Sequence, residues 1–255
     1  YTEHPVEVRN CEGAAYINVN NANAKENGIF TATGGIVGAV KGTAALIEKC
    51  HVTADMRHYQ YNNTWDDPLS AANGGGIVGC ALGADEVNRI AITGCSCSGM
   101  VESKRSGAAG IVGYARFSDI SDCGFTGGIE GSGPHFAGGI AGTFSGYSMI
   151  YPVVMEIPAY MDGCYALVET DFSLSGGTAR GVAGASEAAL LNGVFWGSTQ
   201  DGVSETLPDS KAFASLDQSG FEAAIAEMND AIAASMMAQL VQVGYTYVTS
   251  LEHPV

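Results

Sequence analysis

Five copies of a short glycine-rich phrase constrain the fold of this chain more than any other feature of its sequence. The copies read GGIVG, GGIVG, AGIVG, GGIAG and RGVAG, and they end at Gly38, Gly79, Gly113, Gly142 and Gly184. Self-similar units that recur every roughly 20 to 50 residues are typical of solenoids and arrays. The recurrence therefore predicts a stack of coils.

A second landmark, a small apolar residue that is usually cysteine, alternates with the glycine phrase. It falls at Cys11, Cys50, Cys95, Cys123, Cys164 and Val194. The interval from phrase to landmark ranges from 10 to 22 residues, and the interval from landmark to the next phrase ranges from 18 to 29. The shortest unit is therefore about 28 residues, and longer units are expected to loop the excess out at a corner.

The residues within each unit favour β-strands. The residue that follows the glycines is Ile or Val, and in ALIEKCHVT the side chains of Leu46 and Glu48 alternate with those of Ile47 and Lys49. A single unit would expose an apolar face that only its neighbours can cover, so the strands are expected to pair between coils. The predicted fold is all-β, a parallel β-helix (β-solenoid) of about five to six coils.

Composition and charge limit the partners. The chain has 255 residues with 11 Lys and Arg against 27 Asp and Glu, a formal net charge of −16, and no stretch gathers basic residues into a patch. Nucleic acid and anionic membranes are therefore poor partners. No run of 18 apolar residues occurs, which excludes an ordinary membrane-spanning helix. The chain begins at Tyr1 without a basic and apolar leader, as a mature or excised segment would.

The cysteines and histidines are expected to have structural roles rather than to bind a metal or a cofactor. Val194 takes the place of cysteine in the sixth copy, so the position favours a small buried hydrophobe, and buried free thiols are expected. A disulfide between stacked coils stays open, because coils about 4.8 Å apart are within the range that a disulfide tolerates. The histidines show no metal-ligand spacing and are expected at the surface or at strand edges: His4, His51, His58, His135 and His253. No metal and no cofactor is predicted.

From Asp209 onwards the chain changes character. Apolar residues at spacings of three and four predict an amphipathic helix, and they are Phe221, Ile225, Met228, Ile232, Met236 and Leu240. Ser219 with Glu222 reads as a capping box at its start. The predicted division is a solenoid at 1–208 and a C-terminal helical cap with a terminal strand at 209–255. A cap over the open end of the stack is favoured, and a partner-binding helix is the alternative.

The phrase, the Ile-x-x-Cys segments and the short glycine segments GMV at 99–101 and GIE at 128–130 together resemble the GLUG repeat of bacterial cell-surface proteins. The similarity covers about residues 8 to 206. The resemblance implies a β-solenoid module of large secreted or wall-attached bacterial proteins, some of which also carry peptidase domains elsewhere. An extracellular or cell-surface location is therefore expected. The family has no catalytic motif to transfer to this chain.

Two insertions are the candidate functional segments. NVNNANAKEN lies between Cys11 and Gly38, RHYQYNNTWDDPLSAAN lies between Cys50 and Gly79, and both are expected to leave the coil at the same corner of adjacent turns. Aromatic faces with amide and carboxylate groups suit sugars. The candidate ligand-binding residues are His58, Tyr59, Tyr61, Asn62, Asn63, Trp65, Asp66 and Asp67. The alternative is a solvated loop closed by its own aromatics. A further insertion between Gly142 and Cys164 is expected at a different corner.

These observations predict a non-enzymatic, adhesin-like surface module that binds a host or bacterial surface glycan or protein, within a larger multidomain chain. A passive stalk or spacer is the first alternative, and a carbohydrate-active enzyme, a lyase or hydrolase, is the second. Two observations argue against the enzyme. A glycosidase needs two carboxylates that face one site, and the side chains of adjacent Asp66 and Asp67 point apart if the segment is extended. A lyase needs basic groups at its site, and few basic residues of this chain can converge on one site. Outer-face carboxylates could form a calcium ladder, but the register of calcium solenoids is missing: Asp119, Asp122 and Asp162.

Overall fold

The structure is a computed structural model. It describes residues 5–21, 31–60, 72–104, 107–132, 137–150, 153–169, 179–199, 203, 205 and 207–234. All seven cysteines and every glycine phrase lie within these ranges, so the landmarks of the sequence can be located directly. The residues Tyr61, Asn62, Asn63, Trp65, Asp66 and Asp67, and the predicted strand at 245–251, lie outside them.

The chain winds through successive turns, here called rungs. Rung 1 contains β1 (Val6–Arg9), β2 (Glu12–Asn21), β3 (Thr31–Gly34) and β4 (Val37–Lys41). Rung 2 contains β5 (Ala45–Glu48), β6 (His51–Gln60), β7 (Ala72–Gly75) and β8 (Val78–Leu82). Rung 3 contains β9 (Ile90–Thr93), β10 (Ser96–Lys104), β11 (Gly107–Ala109) and β12 (Val112–Arg116).

The later rungs repeat this order. Rung 4 contains β13 (Ser118–Ser121), β14 (Gly124–Ser132), β15 (Ala137–Gly138) and β16 (Ala141–Ser145). A hairpin of β17 (Tyr147–Ile150) and β18 (Val153–Glu156) follows. Rung 5 contains β19 (Ala159–Asp162), β20 (Tyr165–Glu169), β21 (Ala179–Arg180) and β22 (Ala183–Glu187). Rung 6 has β23 (Ala189–Asn192) and β24 (Val194–Gly197), and β25 (Ser210–Ala212) and α1 (Gln218–Ala234) complete the order.

Strands in equivalent positions of successive rungs pair in parallel and form four sheets. Sheet A contains the first strand of each rung, sheet B the second, sheet C the third and sheet D the fourth. Sheet B has a seventh strand, because β25 pairs with β24. The backbone hydrogen bonds of each sheet therefore run along the stack, and the predicted parallel β-solenoid of five to six coils is confirmed.

The apolar residue of the glycine phrase forms a single file through the core. The file runs in the order Ile36, Ile77, Ile111, Ile140 and Val182. The backbone N–H of each of the first four donates to the carbonyl of its counterpart in the next rung over 2.8 to 3.2 Å. All but the first are fully buried. Burying an Ile or Val side chain contributes about 1.5 to 3 kcal/mol, so the file stabilises the stack at every rung.

The second glycine of each phrase leaves the space that inward side chains of sheet B occupy. A Cβ atom at Gly110 would overlap the ring of Phe125, and one at Gly76 would overlap the sulfur of Cys97. A Cβ at Gly139 would overlap both the carbonyl oxygen of Gly181 in the next rung and the Ala166 side chain. The phrase thus lets inward side chains of sheet B approach the opposite backbone without a void.

A column of thiols lies where sheet A turns into sheet B. The residue before each cysteine-type position has a φ of 52° to 60°, and these residues are Asn10, Lys49, Gly94, Asp122, Gly163 and Gly193. After this left-handed turn each Sγ donates to the carbonyl two residues earlier, as Cys123 does to Ser121 over 3.2 Å and Cys95 to Thr93 over 3.3 Å. All seven cysteines are free, and all except the half-buried Cys11 are buried.

Glu205 terminates sheets C and D at the last full rung. In rung 4, the N–H groups of Ile140 and Ala141 both donate to the Val182 carbonyl of rung 5. In rung 5, the N–H groups of Val182 and Ala183 donate instead to Oε2 of Glu205, over 2.7 and 3.2 Å. The carboxylate therefore takes the place of the carbonyl that a further rung would supply.

Helix α1 lies on the flank of the last rungs. Its buried Met228 and Ile232 pack with Tyr165 and Phe195, which project from the outer face of sheet B, and with Phe213. The sequence predicted a helix over the open end of the stack, but among the described residues that end is covered by Val203, Glu205 and Leu207. The helix follows the apolar surface that Tyr165 and Phe195 expose on the outer face.

The start of α1 also differs from its prediction. Asp217 is the capping residue in place of Ser219, because Asp217 Oδ1 accepts a hydrogen bond from the backbone N–H of Gly220 at 3.1 Å. The Ser215 and Ser219 hydroxyls also donate to Asp217, each over 2.7 Å. These hydrogen bonds, of which the one from Ser215 has the largest effect, lower the pKa of Asp217 to about 2. The helix that the structure describes is too short and too polar to cross a bilayer.

Candidate functional site

The two candidate insertions leave and rejoin the solenoid at one edge of adjacent rungs. Strands β2 and β6 pair in register to their last residues, Asn21 against Gln60. The chain returns in β3 and β7, where Thr31 lies against Ala72. Segments 22–30 and 61–71 are therefore anchored one strand spacing apart at both ends, about 4.8 Å. The expectation that they leave at the same corner is confirmed.

His58 lies in a different environment from the one the sequence predicted. It belongs to β6, where Val52, Ala54 and Met56 alternate towards the core, and its side chain is fully buried. The expectation that His58 lies at the surface is wrong, because the inward alternation of β6 continues through position 58. Tyr59 follows it in the same strand. The ligand-binding role of the residues at 61–67 stays a prediction.

The imidazole of His58 connects the roots of the two insertions, meaning the strand ends at which the insertions join the solenoid. Its Nδ1 lies 3.1 Å from the hydroxyl of Thr33, which is in the strand that follows the first insertion. Its Nε2 is enclosed and has no hydrogen-bond partner in the described part of the chain. Burial lowers the pKa of His58 to about 4 because water no longer solvates the charged form. The ring is therefore neutral at physiological pH.

The outer face of sheet B, on the strands that lead to this corner, is polar and carries an exposed aromatic ring. Tyr16 in β2 lies beside Asp55 in β6, and Asn18 lies beside Arg57. Arg57 Nε is 3.7 Å from Asp55 Oδ1 and 3.7 Å from Glu102 Oε2 in rung 3. We call Tyr16, Asn18, Asp55 and Arg57 the sheet B surface. Sequence reasoning missed it, although the alternation of β2 placed Tyr16 and Asn18 on one face.

The third insertion lies at another corner, as expected. The β17–β18 hairpin connects sheet D to sheet A, and the loop 83–89 makes the same connection two rungs earlier. Arg89 bridges the two: it forms an ion pair with Asp119 and donates to the Pro158 carbonyl over 2.8 Å. Arg89 therefore stabilises this corner.

Few observations on the described residues support metal binding or thiol chemistry. No group of three or more His, Cys, Asp or Glu side chains in these residues could hold a metal ion. The carboxylate of Asp119, considered for a calcium ladder, pairs with Arg89. Burial raises the pKa of Cys123 well above its usual value, which suppresses the reactive thiolate. The thiol column therefore belongs to the core.

Comparison with known proteins finds no relative, because no protein-family model, no curated protein and no solved structure matches the chain. The resemblance to GLUG repeats consequently stays a prediction from the sequence. The geometry of the corner, and the chemistry of the side chains on and near it, carry the functional argument.

Proposed function

We propose that this chain is a non-enzymatic binding module of a bacterial cell surface, and that it binds its ligand through the insertions at 22–30 and 61–71. The observation that carries the proposal is the in-register pairing of β2 with β6 and of β3 with β7, which anchors both insertions side by side. Binding residues are often carried by loops that a rigid scaffold positions.

The solenoid supplies a rigid support. Both roots are held by backbone ladders and by the hydrogen bond between His58 and Thr33. Positioning binding residues on a rigid scaffold reduces the entropy that is lost when a ligand binds. The repeated core therefore allows the insertions to vary in sequence without loss of the fold.

A glycan of a host or bacterial surface is the ligand class that the side chains favour, and a surface protein is the other. Aromatic rings stack on the apolar faces of sugars, while amides and carboxylates bind their hydroxyls. The second insertion supplies this mixture in Tyr61, Asn62, Trp65 and Asp66. The net charge of −16 opposes an acidic polymer.

The test is binding of the full chain to an array of neutral and acidic oligosaccharides. We expect binding that Trp65→Ala abolishes, because a stacked indole supplies the largest apolar contact in the insertion. The matched control is Val154→Ala, which truncates an exposed side chain on the hairpin at the other corner and should leave binding unchanged.

Two other outcomes would replace the proposal. Absence of binding to glycans and to surface extracts, together with unchanged stability after removal of 61–67, would favour a passive stalk or spacer. Cleavage of an array glycan that is lost in Asp66→Asn or Asp67→Asn would instead identify a carbohydrate-active enzyme.

A further inference from the structure

Tyr16 presents its ring to solvent on the outer face of sheet B. Its side chain is 64% exposed, and no other aromatic side chain that the structure describes is classed as exposed. It lies on a regular strand, so the backbone holds its position. An aromatic ring that is exposed on a regular strand can stack against an apolar face of a ligand.

The neighbours of Tyr16 form a compact block. Tyr16 and Asn18 are two residues apart on β2, and Asp55 and Arg57 are their partners on β6. The block therefore measures about 4.8 Å across the strands and about 6.7 Å along them. These dimensions match one six-membered sugar ring lying over the tyrosine with polar groups at its rim.

The polar members of the block have the chemistry to bind hydroxyl groups. Asp55 and Arg57 have half-exposed side chains, although the Oδ1 atom of Asp55 is itself enclosed and lies 3.7 Å from Arg57 Nε. Thr53, exposed on the same face, shares a hydrogen bond of 3.1 Å with Ser98. Carboxylate, guanidinium, amide and hydroxyl groups are thus all within reach of one ring.

We propose that the sheet B surface is a second contact region for the ligand of the insertions, and that this ligand is a neutral oligosaccharide with one sugar ring stacked on Tyr16. This inference rests on the proposed function. The choice of a neutral sugar follows from the carboxylates of Asp55, within the block, and Glu102, beside it. They outnumber the one cation there, Arg57, and would repel uronic or sialic acids.

The position of the block explains why the ligand is an oligosaccharide. Tyr16 lies five residues before the end of β2, and Asp55 lies five residues before the end of β6. The distance along the strands to the root of the insertions is about 16 Å. A ligand that contacts both regions must extend over several sugar rings along sheet B.

The experiment compares variants of the full chain on neutral and acidic oligosaccharide arrays, followed by titration calorimetry with the neutral glycan that binds best. We expect Tyr16→Ala to weaken binding about tenfold, Tyr16→Phe to retain most of it, and Asp55→Asn to weaken it less than Tyr16→Ala. The control Leu190→Ala truncates an exposed side chain on sheet A and should bind as the wild type does. Because Tyr16 is exposed, its variants should melt at the wild-type temperature.

Each outcome separates this inference from the proposed function. Neutral-glycan binding that Trp65→Ala abolishes and Tyr16→Ala leaves unchanged would overturn the inference and leave the proposed function intact. Binding to acidic glycans alone would overturn the choice of ligand. Absence of any glycan binding would overturn the inference and would leave a surface protein as the ligand in the proposed function.

Discussion

Acid should destabilise the fold through His58. The imidazole is fully buried, and burial lowers its pKa from 6.5 to about 4. The unfolded chain therefore takes up a proton at a higher pH than the folded chain does. The contribution of His58 is unchanged above pH 6.5, falls as the pH decreases towards 4, and levels off below that value. At about 1.4 kcal/mol per pKa unit, the total loss is about 3 kcal/mol.

The measurement is the free energy of urea unfolding at pH 7 and pH 4 for the wild type and His58→Asn. Asparagine does not titrate and can still form a hydrogen bond with Thr33. The 27 Asp and Glu residues titrate in both proteins, so their contribution cancels in the comparison. We expect the wild type to lose about 3 kcal/mol more than the variant between the two pH values.

Thr33→Val separates burial from hydrogen bonding. It removes the hydroxyl that lies 3.1 Å from Nδ1 and keeps the imidazole buried. Stability should therefore decrease at every pH while the pH dependence remains. Parallel pH curves for the wild type and His58→Asn, or a folded-state imidazole that titrates near pH 6.5 by NMR, would refute the reasoning.

Three further predictions concern the last rungs and the thiol column. Glu205→Ala removes the acceptor of three backbone N–H groups, those of Val182, Ala183 and Leu207, and should lower the free energy of unfolding by about 2 to 4 kcal/mol. The control Glu187→Ala, on an exposed position of β22, should change it by less than about 0.5 kcal/mol. Cys123 should resist iodoacetamide at pH 8 until urea unfolds the chain; equal labelling of native and unfolded protein by mass spectrometry would contradict its burial. Asp217→Ala should lower helix content by circular dichroism, and the wild type should show the same loss only as the pH falls towards 2.

The repeated part of the fold could be predicted because each rung places similar residues at the same positions in the core. Ile77, Ile111 and Ile140 occupy one position in the sequence phrase and one file in the core, so spacing alone located them. The cysteine column was predictable for the same reason. The residue before each cysteine also carried a signal, since Gly, Asn or Asp at five of the six positions suits a left-handed turn, and Lys49 is the exception.

The site and the stack end were harder to predict because they are not repeated. His58 was expected at the surface or at a strand edge, together with the other histidines, although the alternation of Val52, Ala54 and Met56 continues through it. Glu205 lies in an irregular segment, and its role depends on N–H groups more than 20 residues away. No local pattern predicts such a cap.

The first rung should be the least stable part of the stack. Val8, Ile17 and Ile36 are half-buried there. Their counterparts in the second rung are fully buried: Ile47, Met56 and Ile77. If each half-exposed side chain forgoes about 1 kcal/mol, the first rung is weaker by about 3 kcal/mol, and its amides should exchange with deuterium about 100-fold faster than those of rungs 3 and 4. Mass spectrometry of peptides from β1–β4 and β9–β16 measures this difference. Equal protection would mean that unfolding is not rung by rung but cooperative across the whole stack, as it is when the interfaces between repeats dominate their intrinsic stability.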